Sequence, residues 1–136
     1  MHKRLASSSL ILLSAVLLLL SASVARAQDD TTPKKRLRNP ATVRSTIGGE
    51  SHDSYVIKAR RGQRMTVSIS WRKEGDNEAG FTVSRSSNFF SAEAVGFGKE
   101  SNNGKQWSGR IPETGNYYIY VTAHPVATYV LRVRLN

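Results

Sequence analysis

The stretch A-R-R-G-Q-R-M-T-V-S-I-S, residues 59–70, holds two patterns in one short segment. Its first half packs three arginines into six residues, a density that suits an anion such as phosphate. Its second half alternates Met65, Val67 and Ile69 with Thr66, Ser68 and Ser70. Alternation at period two marks a strand with one side in a core and the other in water. Both halves are read as one hairpin. Gly62 supplies the backbone freedom of the turn, Arg60, Arg61 and Arg64 flank it, and Met65, Val67 and Ile69 point inward.

The same pattern runs from Pro40 to the end of the chain, where short runs rich in valine, isoleucine, threonine, tyrosine and phenylalanine are separated by glycine, asparagine and proline. Strands are predicted near 42–48, 54–60, 64–71, 80–85, 92–98, 105–111, 116–123 and 128–135. About eight short strands with turns between them specify an all-β fold, an antiparallel, jelly-roll-like β-sandwich. Alternation assigns Tyr55, Ile57, Ala59, Phe81 and Val83 to the core, and Trp107 by the parity of Ile111. Tyr117, Ile119 and Val121 share an inward face with Tyr129, Leu131 and Val133. If those last two strands form a hairpin, Val121 opposes Leu131 across the loop Pro125-Val126-Ala127. On the outer face Tyr118 then meets Arg134 and Tyr120 meets Arg132.

The first residues address the compartment. Met1-His2-Lys3-Arg4 is a basic start, Leu10–Leu20 an apolar run and Ala25-Arg26-Ala27 a small-residue cleavage signature. The apolar run of 11 residues is short of the roughly 20 that a membrane-spanning helix needs. The expected organisation is a signal peptide over 1–27, cut between Ala27 and Gln28, a flexible basic linker over 28–39, and one β-sandwich domain over 40–136. The expected location is periplasmic or secreted, with no transmembrane segment after cleavage; an uncleaved anchor is the alternative. The linker, QDDTTPKKRLRN, has too little apolar surface to offset the entropy of ordering. Its run Lys34-Lys35-Arg36-Leu37-Arg38 reads as a solvated tether or as an electrostatic foot on an anionic surface.

No cysteine is present, so disulfides, zinc-thiolate sites and cysteine nucleophiles are excluded. Of 20 lysines and arginines, Lys3, Arg4 and Arg26 lie in the signal, leaving 17 against 10 acidic residues, a net +7. That excess favours anionic partners. Nucleic acid is not expected as a partner, because export removes the chain from it. A monomer is the default expectation.

The order D-S-Y-V-I-K-A-R-R-G-Q-R-M-T-V-S-I (53–69), I-P-E-T-G-N-Y-Y-I-Y-V (111–121) and Y-V-L-R-V (129–133) resembles the bacterial pre-peptidase C-terminal domain family. The resemblance rests on Asp53, Tyr55, Gly62, Gln63, Gly115, Tyr117, Tyr129 and Leu131, and it implies a non-catalytic β-sandwich of secreted proteins. The chain is also similar to the small periplasmic inhibitors of g-type lysozyme through Ala59-Arg60-Arg61-Gly62-Gln63, Val67-Ser68-Ile69-Ser70 and Thr114-Gly115-Asn116-Tyr117. In that resemblance Thr114, Gly115, Asn116 and Tyr117 correspond to a Ser-Gly-x-Tyr inhibitory loop. Thr114 stands where that motif has serine, and Ala123-His124-Pro125-Val126-Ala127 is short and neutral where those inhibitors carry a longer basic loop.

The candidate sites follow. Ser51-His52-Asp53 has the letters of a hydrolase triad, but sequence neighbours cannot orient one another as nucleophile, base and orienter; it is read as a turn, with Asp53 bonding local backbone N–H groups. No enzyme activity is expected. Glu74, Asp76 and Glu78 around Gly75 are weak calcium candidates; a solvated loop is the alternative, and no metal or other cofactor is expected. The candidate ligand surface is Tyr118, Tyr120, Arg132 and Arg134, two rings and two cations suited to an anionic or glycan polymer of the envelope. A plain exposed sheet face is the alternative. The leading function is an exported non-catalytic binding module for such a polymer or a protein partner. The second is inhibition of a muralytic enzyme, g-type lysozyme.

Overall fold

The computed structural model describes residues 28–136, so the expected signal peptide over 1–27 lies outside the described residues. The described chain forms nine strands: β1 Lys34–Arg36, β2 Ala41–Gly48, β3 Asp53–Ala59, β4 Arg64–Trp71, β5 Glu78–Ser84, β6 Lys99–Ser101, β7 Gln106–Arg110, β8 Gly115–His124 and β9 Val126–Leu135. They make two sheets, one ordered β1-β3-β8-β5 and the other β2-β9-β4-β7-β6. All pairings are antiparallel except β1 with β3, which is parallel. No helix among the described residues is long and apolar enough to cross a membrane.

The β-sandwich is the expected fold, and the core is the expected set of side chains. Tyr55, Ile57, Ala59, Val83, Tyr117, Ile119 and Val121 of the four-stranded sheet face Met65, Val67, Ile69, Trp107, Tyr129, Leu131 and Val133 of the five-stranded sheet, all buried. Each valine, isoleucine, leucine or methionine among them contributes about 1.5–3 kcal/mol by leaving water. Trp107 folds over two glycines; a Cβ on Gly98 or Gly109 would stand 2.6 or 2.7 Å from its ring. Between the two layers lies one polar chain of contacts. The Tyr129 hydroxyl donates to Asp53 Oδ2, so the Tyr55 hydroxyl donates its own proton to Tyr129, both at 2.5 Å. Asp53 therefore bonds across the sandwich and not, as expected, to its local backbone.

The segment 59–70 is not the hairpin expected, because its turn leads from β3 in one sheet to β4 in the other and the two strands do not pair; three further local expectations are corrected. First, β8 and β9 are not a hairpin of one sheet. β8 pairs with β3 and β5, whereas β9 pairs with β2 and β4, and a single residue, Pro125, carries the chain between the sheets. The inward faces of β8 and β9 meet across the core, so the proposed opposition of Val121 to Leu131 does not exist. The crossing is tight: Gly49 N–H donates to the Pro125 carbonyl at 2.8 Å, and a Cβ on Gly48 would lie 2.3 Å from that oxygen.

Second, the segment expected as a flexible linker contains β1, which adds to the edge of β3 with Lys34 beside Ser54 and Arg36 beside Val56. A parallel edge strand is held by backbone hydrogen bonds, so polar side chains do not prevent it. Asn39 then imitates one more strand residue, its side chain donating to the Leu135 carbonyl and accepting from the Leu135 N–H, both at 2.8 Å.

Third, the strand expected at 92–98 is absent. Phe89–Ser91 makes one 3-10 turn, capped by the Asn88 side chain accepting from the Phe90 N–H. Only Ala94 bridges to Ser84. Phe97 meets Trp107 and Tyr117 edge-on at 5.8 and 6.3 Å, so this segment fills the gap between the sheets instead of extending one.

Candidate functional site

One end of the sandwich is built by the turn between β3 and β4 and by the segment leading into β8. At the turn Gly62 has φ of 90°, the left-handed region that disfavours other residues. The Gln63 side chain closes the turn by accepting from the Arg60 N–H at 2.6 Å. Gly62 N–H donates to the Ile111 carbonyl at 2.8 Å, and Ile111 N–H donates to the Gln63 carbonyl at 2.7 Å. The Arg61 N–H donates to Thr114 Oγ1 at 2.9 Å. The arginine turn and the Thr114-Gly115-Asn116-Tyr117 segment are thus one unit.

Arg85 holds that segment from its other side. Its guanidinium lies 4.5 Å from the centre of the Tyr117 ring and donates to the Tyr117 hydroxyl at 3.0 Å. That hydroxyl donates in turn to the Glu113 carbonyl at 2.7 Å, and Glu113 pairs with Arg85 at 3.7 Å. A Cβ on Gly115 would stand 2.8 Å from Arg85 Nη2, so glycine is what lets the guanidinium sit there. Tyr117 is buried, while Thr114 and Asn116 are exposed. The result is a tightly held start of β8, in which Gly115, Asn116 and Tyr117 pair with Ala59, Lys58 and Ile57 just after Thr114, among the exposed cations Lys58, Arg60, Arg61 and Arg110 and beside the carboxylate of Glu113. Arg85, which the sequence reading did not single out, lies outside every motif and reaches the segment only through the fold.

The four residues expected to form a ligand surface are divided between the two sheets. Tyr118 and Tyr120 lie on the outer side of the four-stranded sheet, Arg132 and Arg134 on the outer side of the five-stranded sheet. No arginine-over-tyrosine pair forms between them. Tyr120 is moreover buried, its hydroxyl donating to the Ser86 carbonyl at 2.6 Å under Phe89. Burial pushes its phenol up to about 12, helped by the charges of Asp30 and Tyr118. Tyr118 stacks on it with ring centres 6.4 Å apart and is half-buried.

The cover over Tyr120 accounts for His52. Its ring stacks on Phe89 at 3.8 Å and bonds Asp30 Oδ1 at 3.2 Å. Asp30 also accepts from the Phe89 and Thr32 N–H groups. Burial works to raise the Asp30 carboxyl, but those N–H groups, with His52 and Lys34, hold it below the usual carboxylate range. Asp30 thereby ties the chain before β1 to the sheet, a contact between two segments with no sequence signal to link them. The Ser51-His52-Asp53 run is no triad, since Asp53 bonds Tyr129 and His52 bonds Asp30.

Of the calcium candidates, Glu78 opens β5, and Glu74 and Asp76 are in a loop closed by Asn77. This buried amide accepts from the Glu74 N–H and donates to the carbonyls of Arg72 and Val126. Glu74 pairs with Arg72 at 3.4 Å. Among the described residues no group of three or more His, Asp or Glu side chains is arranged to hold a metal ion.

No family model matches the chain, and no curated protein matches its sequence. Solved structures do match its fold. The periplasmic inhibitor of g-type lysozyme from Aeromonas hydrophila superposes with a TM-score of 0.61 at 23% identity, over 76% of this chain and 96% of that one. The corresponding inhibitor from Salmonella Typhimurium gives 0.54 at 20% identity, over 78% and 100%. The pre-peptidase C-terminal domain of a Bacillus anthracis collagenase gives 0.56 at 20% identity, over 79% and 100%. The chain has the fold shared by these proteins.

Proposed function

We propose that the protein is an exported, non-catalytic binding module of the cell envelope whose partner is a muralytic enzyme, and that it inhibits g-type lysozyme through the Thr114-Gly115-Asn116 segment. The observation that carries this reading is the segment itself, exposed at Thr114 and Asn116 where β8 begins and fastened by Arg61, Arg85 and Tyr117. A segment already held in place in the free protein gives up little entropy on binding. Its basic surroundings suit the cleft of a glycoside-cleaving enzyme, whose chemistry is organised around carboxylates. The likeness to two inhibitors of g-type lysozyme, almost end to end along their chains, supports the same choice. Location in the periplasm is consistent with the basic, apolar and small-residue runs of residues 1–27.

The test is lysis of cell-wall substrate by a g-type lysozyme in the presence of the mature chain. Inhibition at about nanomolar concentration, the range of well-formed protein complexes of this kind, is expected. Asn116→Trp, which places a bulky ring at an exposed position at the start of β8, is expected to weaken inhibition at least about tenfold, roughly 1.4 kcal/mol, with unfolding unchanged. Full lysis at micromolar protein would end the proposal.

A further inference from the structure

The outer side of the five-stranded sheet carries a concentrated set of cations. Because Met65, Val67, Trp107, Leu131 and Val133 point inward, their even-numbered neighbours point out. Together with Lys99, which is odd-numbered but pairs with the outward Ser108, they place Arg44, Arg64, Arg110, Arg132 and Arg134 on one side, all exposed, with Arg110 at its edge donating to the Gly62 carbonyl at 3.0 Å. Hydroxyls and amides lie between them: Arg132 stands between Thr42 and Ser68, with Gln106 next in the same row, and Arg134 stands beside Thr66 and Ser108. The strands of this sheet contain one carboxylate, Glu100, and it pairs with Trp107 on the inward side. None of the six cations forms an ion pair among the described residues.

Six unneutralised cations on one side create a positive potential that attracts anions. Their arrangement narrows the choice. They are spread over all five strands, a width of roughly 20 Å at the usual strand spacing, whereas one extended polymer chain would follow a single row. No outward position of these strands holds an aromatic residue, and Trp71, of inward register, reaches only the hollow beside Arg44 at one end, so the middle of the side has nothing on which a sugar ring would stack. A two-dimensional field of arginines among hydroxyls matches a layer of phosphate headgroups, with arginine well suited to phosphate oxygens and the hydroxyls as further donors.

We propose that this side docks the protein on an anionic phospholipid surface, electrostatically and without insertion. Such docking leaves the Thr114-Gly115-Asn116 segment, which begins a strand of the other sheet, available to a protein partner, and it stands or falls independently of the inhibitor reading.

The experiment is sedimentation of the mature chain with vesicles of phosphatidylcholine containing or lacking phosphatidylglycerol. Binding is expected only to the anionic vesicles and is expected to fall steeply with salt, because exposed charges are screened over about 10 Å at 0.1 M. The triple variant Arg44→Gln/Arg132→Gln/Arg134→Gln is expected to bind about 100-fold more weakly, since each basic residue near such a surface contributes about 1 kcal/mol. Its inhibition of lysozyme is expected to be unchanged. The variant Lys58→Gln/Arg60→Gln/Arg61→Gln removes the same charge from the sandwich end and is expected to retain most vesicle binding. Equal loss in both variants would reduce the effect to net charge and overturn the proposal. So would binding to soluble polyphosphate, lost in the first triple variant, without binding to anionic vesicles.

Discussion

Replacing Tyr129 by phenylalanine removes one oxygen and tests the polar link between the sheets. Tyr55 and Tyr129 are fully buried, and the chain of donors runs from Tyr55 to Tyr129 to Asp53. In Tyr129→Phe the Asp53 carboxylate loses a donor, a charge-assisted bond of about 1.5–3 kcal/mol. The Tyr55 hydroxyl is left in the core without its acceptor, a cost of about 1–3 kcal/mol. These two losses share one network and do not add fully, so about 3 kcal/mol in total is expected. Tyr55→Phe removes the outer member, leaves the Tyr129–Asp53 bond intact and forfeits one neutral bond, about 1 kcal/mol. Urea unfolding at neutral pH gives both values by linear extrapolation. For a domain of this size the larger loss corresponds to a Tm lower by about 10–20 °C. Equal losses in the two variants, or a loss below about 1 kcal/mol in Tyr129→Phe, would refute the donor order.

Two further outcomes follow from the same core. Burial raises the phenols of Tyr120, to about 12, and of Tyr129 and Tyr55, the last two also through the Asp53 charge. A raised phenol stabilises the fold fully below its ordinary value near 10 and ceases to do so as pH rises through the folded value. Stability is therefore expected to decline from pH 10 upward, and less so in Tyr120→Phe; equal urea midpoints at pH 9 and pH 11 would contradict this. Gly109→Ala would put a Cβ 2.7 Å from the Trp107 ring, whereas Gly80→Ala enters open space. The first is expected to cost about 1–3 kcal/mol with a shifted tryptophan emission, the second about 0.5 or less, and equal costs would show that Trp107 does not depend on the glycine.

The candidate segment was legible because its residues are contiguous: Thr114, Gly115, Asn116 and Tyr117 form one motif, and Gly62 marks the turn beside it. Arg85 and Asp30 were not. Each acts on a partner tens of residues away, Arg85 on Tyr117 and Asp30 on His52 and Phe89, and nothing in the local pattern of either segment names that partner. Around Glu74 and Asp76 the fixed element of the loop is the Asn77 amide, which bonds three backbone groups and which no acidic letter marks.

Which side chains face inward could be read from the chain alone, because the pleat of a strand turns successive residues to opposite sides whatever its neighbours are. From Tyr55 to Leu135 every member of the buried apolar cluster has an odd number. Which strands lie side by side could not be read. Two strands with matching inward faces satisfy the same alternation whether they are hydrogen-bonded in one sheet or opposed across the core. Only the closed sandwich separates these cases, sending β8 and β9 to different layers and leaving Tyr118 and Arg132 on opposite outer sides of the molecule.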